Sequence, residues 1–158
     1  MRRFLIALAA TLALFGLAPA GPAFAASSTE VYYETVAEGD VSFIPACTPG
    51  PQNPTCDPRG PGSVLTSKGT LAATQGGPAV GSITTTCVTT RKVGADYYGA
   101  CYDKLVTPSG TRIALGEINE SGLERYEPQT LCLTLPHGTL TIQQIVYPNV
   151  FKLTLEIA

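Results

Sequence analysis

Short segments in which apolar and polar side chains alternate recur through most of the chain. The clearest occupies residues 150–157, where Lys, Thr and Glu separate four apolar positions: Phe151, Leu153, Leu155 and Ile157. Because successive side chains of a β-strand point to opposite faces, this pattern predicts a strand with one buried and one polar side. We therefore expect the four apolar side chains to lie in the core.

Other segments are rich in β-branched and aromatic residues and are separated by turn residues, which predicts further strands. In chain order they are residues 30–37, 40–44, 80–90, 97–102, 111–118, 131–135 and 139–143. Glu38 and Gly39 predict a tight turn between the first two strands, and residues 119–130 are compatible with at most a short helical turn. About nine short strands, spaced about ten residues apart, predict an all-β sandwich or a closed barrel.

The composition changes between residues 45 and 62, where six prolines leave no room for a helix or a strand ladder. Cys47 and Cys56 bracket the centre of this predicted Pro/Gly-rich loop. The short ring that they would close predicts a local disulfide, worth about 2 to 3 kcal/mol through the lost entropy of the unfolded chain. No second ligand pair at zinc spacing accompanies them, so the pair is interpreted as a structural staple and not as a metal site.

The first 25 residues have the order of a secretory signal peptide: two arginines, an apolar run over residues 4–17, and small residues at Ala23 and Ala25. The apolar run is too short to span a bilayer. We expect cleavage after Ala25, a single mature domain over residues 26–158, and a secreted, extracellular protein that is free of the membrane after processing.

All five cysteines lie in the exported part, where disulfides are permitted, and they form at most two bridges. If Gly94 lies near the centre of a hairpin turn, Cys87 and Cys101 face each other on neighbouring strands. This predicts a second disulfide and leaves Cys132 unpaired. Because sheet neighbours are unknown at this point, a bridge from Cys132 to either Cys87 or Cys101 stays open.

The charge balance excludes one group of partners. The chain carries 14% charged residues, and loss of the signal peptide leaves 8 basic against 12 acidic residues, a net charge of about −4. A mildly acidic chain with scattered cations lacks the electrostatic footprint of a protein that binds nucleic acid or an anionic membrane surface.

The residues that commonly carry chemistry are few. His137 is the sole histidine and lies in a Pro-His-Gly turn, where a solvated surface residue is the usual occupant. A histidine metal site or a Ser-His-Asp triad is therefore unsupported. The chain also lacks a dinucleotide fingerprint, a phosphate loop and a Gly-x-Ser-x-Gly elbow. We expect neither a metal nor a cofactor.

Several polar residues on predicted strands are candidates for a site inside a barrel. Glu117 shares a strand face with Ile113 and Leu115, so its carboxylate lies either at a strand end in solvent or in a pocket. Asp103 is a second candidate acid. The candidate ligand contacts are Tyr97, Tyr98, Tyr102 and Arg112, although tyrosines on strands more often fill the core.

Four motifs of turns and strands follow one another within residues 63–158. They are Val80-Gly81-Ser82, Cys87-Val88, Pro108-x-Gly110 and Leu135-Pro136-x-Gly138-x-Leu140-Thr141-Ile142-Gln143. This succession resembles the allene oxide cyclase barrel family and its dirigent-like relatives, as found in exported bacterial proteins. The resemblance implies a small antiparallel β-barrel of about eight strands with a largely apolar interior.

The chain departs from this family at its C-terminus. In the family, the strand that resembles residues 150–157 normally runs into a Gly-Gly-Thr-Gly turn and further strand, whereas this chain stops at Ala158. Two possibilities follow from the resemblance. Either the N-terminal strands replace the final ones, or the member is C-terminally shortened and its barrel has an open edge.

The family's activities supply functional hypotheses. Its plant enzyme cyclises an unstable epoxide in an apolar cavity with a glutamate and a bound water, and dirigent proteins steer radical coupling without a cofactor. Their functional residues cannot be matched here one by one, so no catalytic residue is carried over.

We expect an exported barrel that binds an apolar small molecule or acts as a non-catalytic module. One alternative is a cofactor-free cyclase or isomerase in which Glu117 or Asp103 polarises the substrate. Another is a secreted inhibitor or interaction protein that presents the 45–62 loop. A roomy apolar interior favours the first two hypotheses, and a filled core with a protruding loop favours the third.

Overall fold

The computed structural model describes residues 27–135 and 137–158 and shows a barrel of antiparallel strands with one short helix in this part of the chain. The strands are β1 Ser28–Ile44, β2 Val64–Ala72, β3 Ala79–Val93, β4 Asp96–Thr107, β5 Gly110–Asn119, β6 Gln129–Leu133, β7 Gly138–Val146 and β8 Val150–Ile157, and helix α1, Glu120–Glu124, lies between β5 and β6. Each strand pairs with the next along the chain. The predicted signal peptide lies outside the described residues, as does Pro136.

Pairing between the first and last strands closes the barrel. β1 runs antiparallel to β8 from the pair Ser28 and Ile157 to the pair Thr35 and Val150, while its other edge pairs with β2. The predicted all-β fold of about eight strands is therefore confirmed, as a closed barrel and not as a sandwich. The open edge considered for the C-terminal strand is wrong, because the N-terminal strand β1 pairs with β8.

The predicted hairpin over residues 30–44 is wrong, because both segments belong to the single strand β1. The stretch before Val36 and the stretch after Val41 pair with the same partner, β2, in the same direction, and the residues between them form a bulge. Gly39 adopts φ 94°, a left-handed conformation that glycine accepts without strain. Glu38 and Gly39 thus mark extra residues within a strand and not a chain reversal.

Both predicted disulfides are present. Cys47 and Cys56 staple the loop between β1 and β2, while Cys87 and Cys101 occupy opposed positions on β3 and β4 and join these strands inside the barrel. Cys132 is exposed and forms no disulfide with any described residue. The alternative bridges to Cys132 are therefore wrong.

Alternate residues of the strands point into the barrel and form its core. In β8, Leu153 and Leu155 are fully buried, Ile157 is buried and Phe151 is half-buried, which confirms the face predicted for this strand. Other large side chains that are fully buried are Leu71, Ile83, Leu105, Leu131 and Leu140. The apolar side of the barrel wall is thus turned inward.

The two ends of the barrel differ. The end at which β5 begins, called here the lower end, is filled by Arg112. Its guanidinium pairs with Glu30 at 3.0 Å and donates to the hydroxyl groups of Thr107 at 3.1 Å and Ser109 at 2.8 Å. The opposite end, called here the upper end, carries helix α1 and the stapled loop, residues 45–63.

Helix α1 is a short segment that covers part of the upper end, as expected for residues 119–130. Asn119 caps it, accepting a hydrogen bond on Oδ1 from the backbone N–H of Gly122 at 2.9 Å. The cap sets Leu123 against the core of the barrel. Among the described residues, no helix combines the length and the apolar character needed to cross a bilayer.

Leu153→Ala should destabilise the protein far more than Thr154→Ala. Leu153 is fully buried, and such truncations cost about 2 to 5 kcal/mol, a large share of the roughly 5 to 15 kcal/mol that stabilises a small domain. Thr154 points to the outer face of the same strand. Thermal unfolding followed by circular dichroism makes the comparison. If both variants melt like the parent, β8 is not part of the core.

Candidate functional site

A cavity of about 300 Å³ opens at the upper end of the barrel. Its wall is mainly apolar and includes Val36, Leu65, Cys87, Ile118, Leu123 and Phe151. The strands supply most of these side chains from their inward-facing positions, and helix α1 supplies one from above. Because Cys87 is bonded to Cys101, a disulfide forms part of the wall.

Three charged residues stand at the cavity mouth. Arg59 of the stapled loop donates from Nη2 to Oε1 of Glu124 at 3.1 Å, which joins the loop to helix α1. Glu120, at the start of the helix, accepts a hydrogen bond from Thr89 Oγ1 at 3.2 Å. Burial raises the pKa of Glu120, and the hydrogen bond from Thr89 opposes this rise. The mouth therefore carries two carboxyl groups against one guanidinium.

The stapled loop is held on the barrel by Asp57 and Arg59. Asp57 Oδ2 accepts hydrogen bonds from Lys92 Nζ at 2.7 Å and from the Tyr97 hydroxyl at 2.9 Å. These bonds, first the one from Lys92, hold the pKa of Asp57 below its usual range. Arg59 and Lys92 each place their cationic group over the Tyr97 ring, at 4.8 and 4.7 Å from its centroid. Tyr97, a predicted ligand contact, thus lies at the junction of loop and barrel and does not line the cavity.

Asp103 lies inside the barrel on β4 and is not one of the residues that line the cavity. Ser67, which lines the cavity, is opposite Thr85 on β3, and Thr85 is opposite Asp103 on β4, so the three residues form one row of the barrel wall. Asp103 is completely buried, and neither carboxyl oxygen has a hydrogen-bond partner among the described residues. Burial raises the pKa of Asp103 to about 6, and the Thr85 hydroxyl, outside good hydrogen-bond geometry, offsets only part of this rise.

Glu34 is a second carboxyl group in the interior. It points inward from β1 between Tyr32 and Val36, and its side chain lies directly over Gly69 of β2. A Cβ at Gly69 would lie 2.4 Å from Oε1 of Glu34, so the close approach requires glycine at this position. Glu34 is 4% exposed. Burial, followed by the charge of Asp103, raises the pKa of Glu34 to about 8.

At neutral pH the two interior carboxyl groups are in different protonation states. With a pKa of about 8, Glu34 is mainly protonated, whereas Asp103, with a pKa of about 6, is mainly ionised. The interior of the barrel therefore combines one negative charge with one carboxylic proton, and neither group is among the residues that line the cavity. Chemically, Asp103 can accept a hydrogen bond or a proton, and Glu34 can donate one.

The predicted acid Glu117 lies on the outside of the barrel. It shares a face with Ile113 and Leu115, as expected, but this face is the outer one. The Glu117 carboxylate forms an ion pair with Arg91 on the protein surface. Its neighbour Ile118 is the residue of this strand that points into the cavity.

The other predicted ligand contacts also lie away from the cavity. Tyr98 packs against the Arg91 guanidinium, which lies 4.4 Å from the ring centroid, and Tyr102 is exposed on the outer face. Arg112 lies at the lower end, paired with Glu30. In the described part of the chain, no cluster of three or more His, Cys, Asp or Glu side chains is arranged to hold a metal ion.

Among the polar residues of the interior that sequence reasoning missed are Glu34, Ser67 and Gln144. For Glu34 a signal exists, because it alternates with Tyr32 and Val36, and a strand that buries these two must also bury the carboxyl group. Gln144 likewise continues the inward alternation of β7. Ser67 lies on β2, a strand in which apolar and polar residues do not alternate strictly.

No family model and no curated protein sequence matches the chain. Solved structures share its fold. Pyocyanin demethylase is similar with a TM-score of 0.65 and 17% sequence identity, over 83% of this chain and 100% of that one. The Diels–Alderase AbmU from Streptomyces koyangensis has a TM-score of 0.59 and 15% identity, over 84% of this chain and 63% of its own.

A nonspecific heme-binding cyclase, which catalyses a cycloaddition in neoabyssomicin biosynthesis, has a TM-score of 0.60 and 17% identity, over 85% of this chain and 65% of its own. This chain thus spans less than two thirds of the Diels–Alderase and of the cyclase. At such identities the likeness shows the barrel fold alone. The barrel implied by the allene oxide cyclase resemblance is confirmed, and membership of that family stays a prediction.

The free energy of unfolding should fall as the pH rises from about 5 to 9. The pKa of Glu34 is raised from 4.5, the ordinary value for a glutamate, to about 8 in the folded barrel. The folded state therefore holds this proton more tightly than the unfolded state, and the resulting stabilisation is lost as the pH rises past 8. The pKa of Asp103 is raised from 3.8 to about 6, so its ionisation also lowers the free energy of unfolding, over a lower pH range. A difference of one pKa unit between folded and unfolded states is worth about 1.4 kcal/mol. Chemical denaturation at several pH values measures the slope.

Glu34→Gln should remove most of this dependence above pH 6, because glutamine keeps the size of the side chain and does not ionise. Glu38→Gln, on an exposed position of the same strand, is the matched control and should leave the slope unchanged. Above pH 5 the Asp57 carboxylate, with its lowered pKa, stays ionised and does not contribute. An unaltered slope in Glu34→Gln would contradict the protonation state assigned to Glu34.

Proposed function

We propose that this protein is an exported β-barrel that binds a compact, mainly apolar small molecule in its upper cavity. The observation that carries the proposal is the cavity itself, about 300 Å³ in volume and walled by inward-facing apolar side chains of a closed barrel. Ligand sites are typically concave and mainly apolar, with a few polar groups that orient the ligand. Ser67 and Gln144 supply such groups at the floor.

The structural neighbours support a small-molecule role. Their names describe a demethylase of pyocyanin, a Diels–Alderase and a heme-binding cyclase. Each description concerns the binding or conversion of a small molecule by a protein of this fold. A small-molecule ligand is therefore compatible with the architecture, while its identity has to come from the residues of this chain.

The stapled loop favours the binding hypothesis over that of a secreted inhibitor. An inhibitor would present the loop away from a filled core. Here Asp57 and Arg59 fix the loop to Tyr97 and Glu124, and the core beside it contains the cavity. The loop is thus interpreted as one side of the cavity mouth.

A cofactor-free cyclase or isomerase is the second candidate, and the interior carboxyl groups favour it. Glu34 retains a proton at neutral pH in apolar surroundings, the property required of a group that donates a hydrogen bond to charge developing on a substrate. Of the two acids predicted for this role, Asp103 is the one that lies inside the barrel.

Ser67→Phe should weaken binding of an apolar probe by about tenfold or more, an effect of about 1.4 kcal/mol. The added phenyl group would occupy part of the cavity, because Ser67 lines it. Lys68→Phe places the same group on the outer face of β2 and is the matched control. The probe is N-phenyl-1-naphthylamine, whose fluorescence rises in apolar surroundings, and the chain has no tryptophan to interfere. Absence of saturable binding to the parent, or equal binding by both variants, would refute the proposed site.

The proposal of export rests on the N-terminal segment and on the two disulfides. Protein recovered from culture supernatant should begin at Ala26. N-terminal sequencing measures this directly. Membrane-bound material that retains Met1 would show that the segment is an anchor and not a cleaved signal.

A further inference from the structure

Glu120 lies where two recesses meet at the upper end. A second recess of about 300 Å³ adjoins the cavity and shares four lining residues with it: Arg59, Leu65, Glu120 and Glu124. Glu124 is engaged with Arg59, whereas no basic side chain of the described residues forms an ion pair with the half-buried Glu120. A ligand that fills either recess would therefore meet the carboxyl group of Glu120.

A chain of hydrogen bonds fixes the Glu120 carboxyl group in this position. Ser63 Oγ donates to Thr89 Oγ1 at 2.8 Å, and Thr89 Oγ1 donates to Glu120 Oε1 at 3.2 Å. Both hydroxyl side chains are buried, and the carboxyl group lies against Gly99, where any side chain would collide with it. Because a hydroxyl group donates a single proton, each donor is used on the next residue, and Glu120 is the final acceptor. A carboxyl group held in this way keeps lone pairs for a further donor.

The mouth offers a ligand both an acceptor and a donor. Glu120 is the acceptor, and Arg59 is the donor, since its guanidinium carries several N–H groups and uses Nη2 for Glu124. A hydroxyl group can donate to the first and accept from the second. An ammonium group has no lone pair for Arg59, and a carboxylate has no proton for Glu120. Each would also bring its charge close to a side chain of the same sign, which is unfavourable. A neutral hydroxyl group therefore matches the mouth better than either charged group.

We infer that the ligand is an apolar alcohol, whose hydroxyl group donates a hydrogen bond to Glu120 and accepts one from Arg59 while its body fills the cavity. The inference rests on the proposed function, since it names the ligand class of the same cavity. The wall beyond the mouth matches an apolar body, because side chains such as Leu123 and Phe151 offer it no polar group. Glu120 is then the residue that selects an alcohol over an ether of similar shape, and Thr89 positions it.

Two matched compounds test the inference: 1-naphthylmethanol and its methyl ether, which retains the acceptor oxygen and lacks the proton. Displacement of bound N-phenyl-1-naphthylamine at pH 7 measures the affinity of each. The alcohol should bind about tenfold more tightly than the ether, because only the alcohol can donate to Glu120. The charged analogues 1-naphthylmethylamine and 1-naphthoic acid should both bind more weakly than the alcohol.

Substitutions locate the preference for the alcohol. Glu120→Leu should bring the ratio of the two affinities close to unity, whereas Glu117→Leu, which removes a surface carboxylate of β5, is the matched control and should leave the ratio unchanged. Thr89→Val removes the hydroxyl group that orients Glu120 and should lower the ratio, and Thr89→Ser, which keeps a hydroxyl group, should preserve it. Because a ratio is compared, a general gain or loss of affinity for apolar molecules does not affect the result.

The outcomes separate the two levels of the proposal. If the fluorescent probe binds but the alcohol binds no more tightly than the other three compounds, the alcohol inference is wrong and the apolar site stands. If the fluorescent probe shows no saturable binding to the parent, the proposed function fails and the inference fails with it. A preference that survives in Glu120→Leu would overturn the role of Glu120. Should this variant not fold, carbon-13 NMR of the parent decides, since the alcohol should shift the Glu120 carboxyl resonance more than the ether does.

Discussion

The pairing of β1 with β8 is the contact on which the rest of the structure depends. It supplies the last set of hydrogen bonds between strands, so that neither of these two strands presents an open edge. It also directs the inward residues of all strands into one enclosed volume. In an open sheet Glu34 and Asp103 would remain in contact with water, whereas in the closed barrel burial raises the pKa of both. The chemistry of the interior is therefore a consequence of closure and not of a local motif.

The interior is built differently along the barrel axis. Toward the lower end the inward positions are filled by fully buried side chains such as Leu71, Leu105, Leu140 and Leu155. Toward the upper end they enclose a cavity, and the interior also holds two carboxyl groups. Unfilled space and an unpaired buried carboxylate both reduce stability, and proteins tolerate such features where a site requires them. The lower half thus acts as a scaffold that allows the upper half to depart from optimal packing.

Features that depend on residues close in the chain were predictable from the sequence. The alternation of β8 and the hairpin spacing of Cys87 and Cys101 are of this kind, and the structure confirms both. Features that depend on which strands pair side by side, and in which register, were not predictable from the sequence. The continuity of β1 follows from the shared partner β2, and the outward direction of Glu117 follows from the register of β5, since alternation defines two faces without saying which one is buried. The raised pKa of Glu34 requires neighbours that only the closed barrel brings together.

Access to the cavity is restricted to the upper end, because Arg112 and its partners fill the lower one. At the upper end, the disulfide between Cys87 and Cys101 braces the cavity wall, and Asp57 anchors the stapled loop. The contact between Arg59 and Glu124 is different: it joins two exposed side chains, and such pairs contribute only about 0 to 1 kcal/mol. Its rupture would widen the mouth without disturbing the strands or either disulfide. The barrel thus combines a braced wall with a weakly held entrance, and this arrangement would let the proposed ligand exchange without a change in the strands.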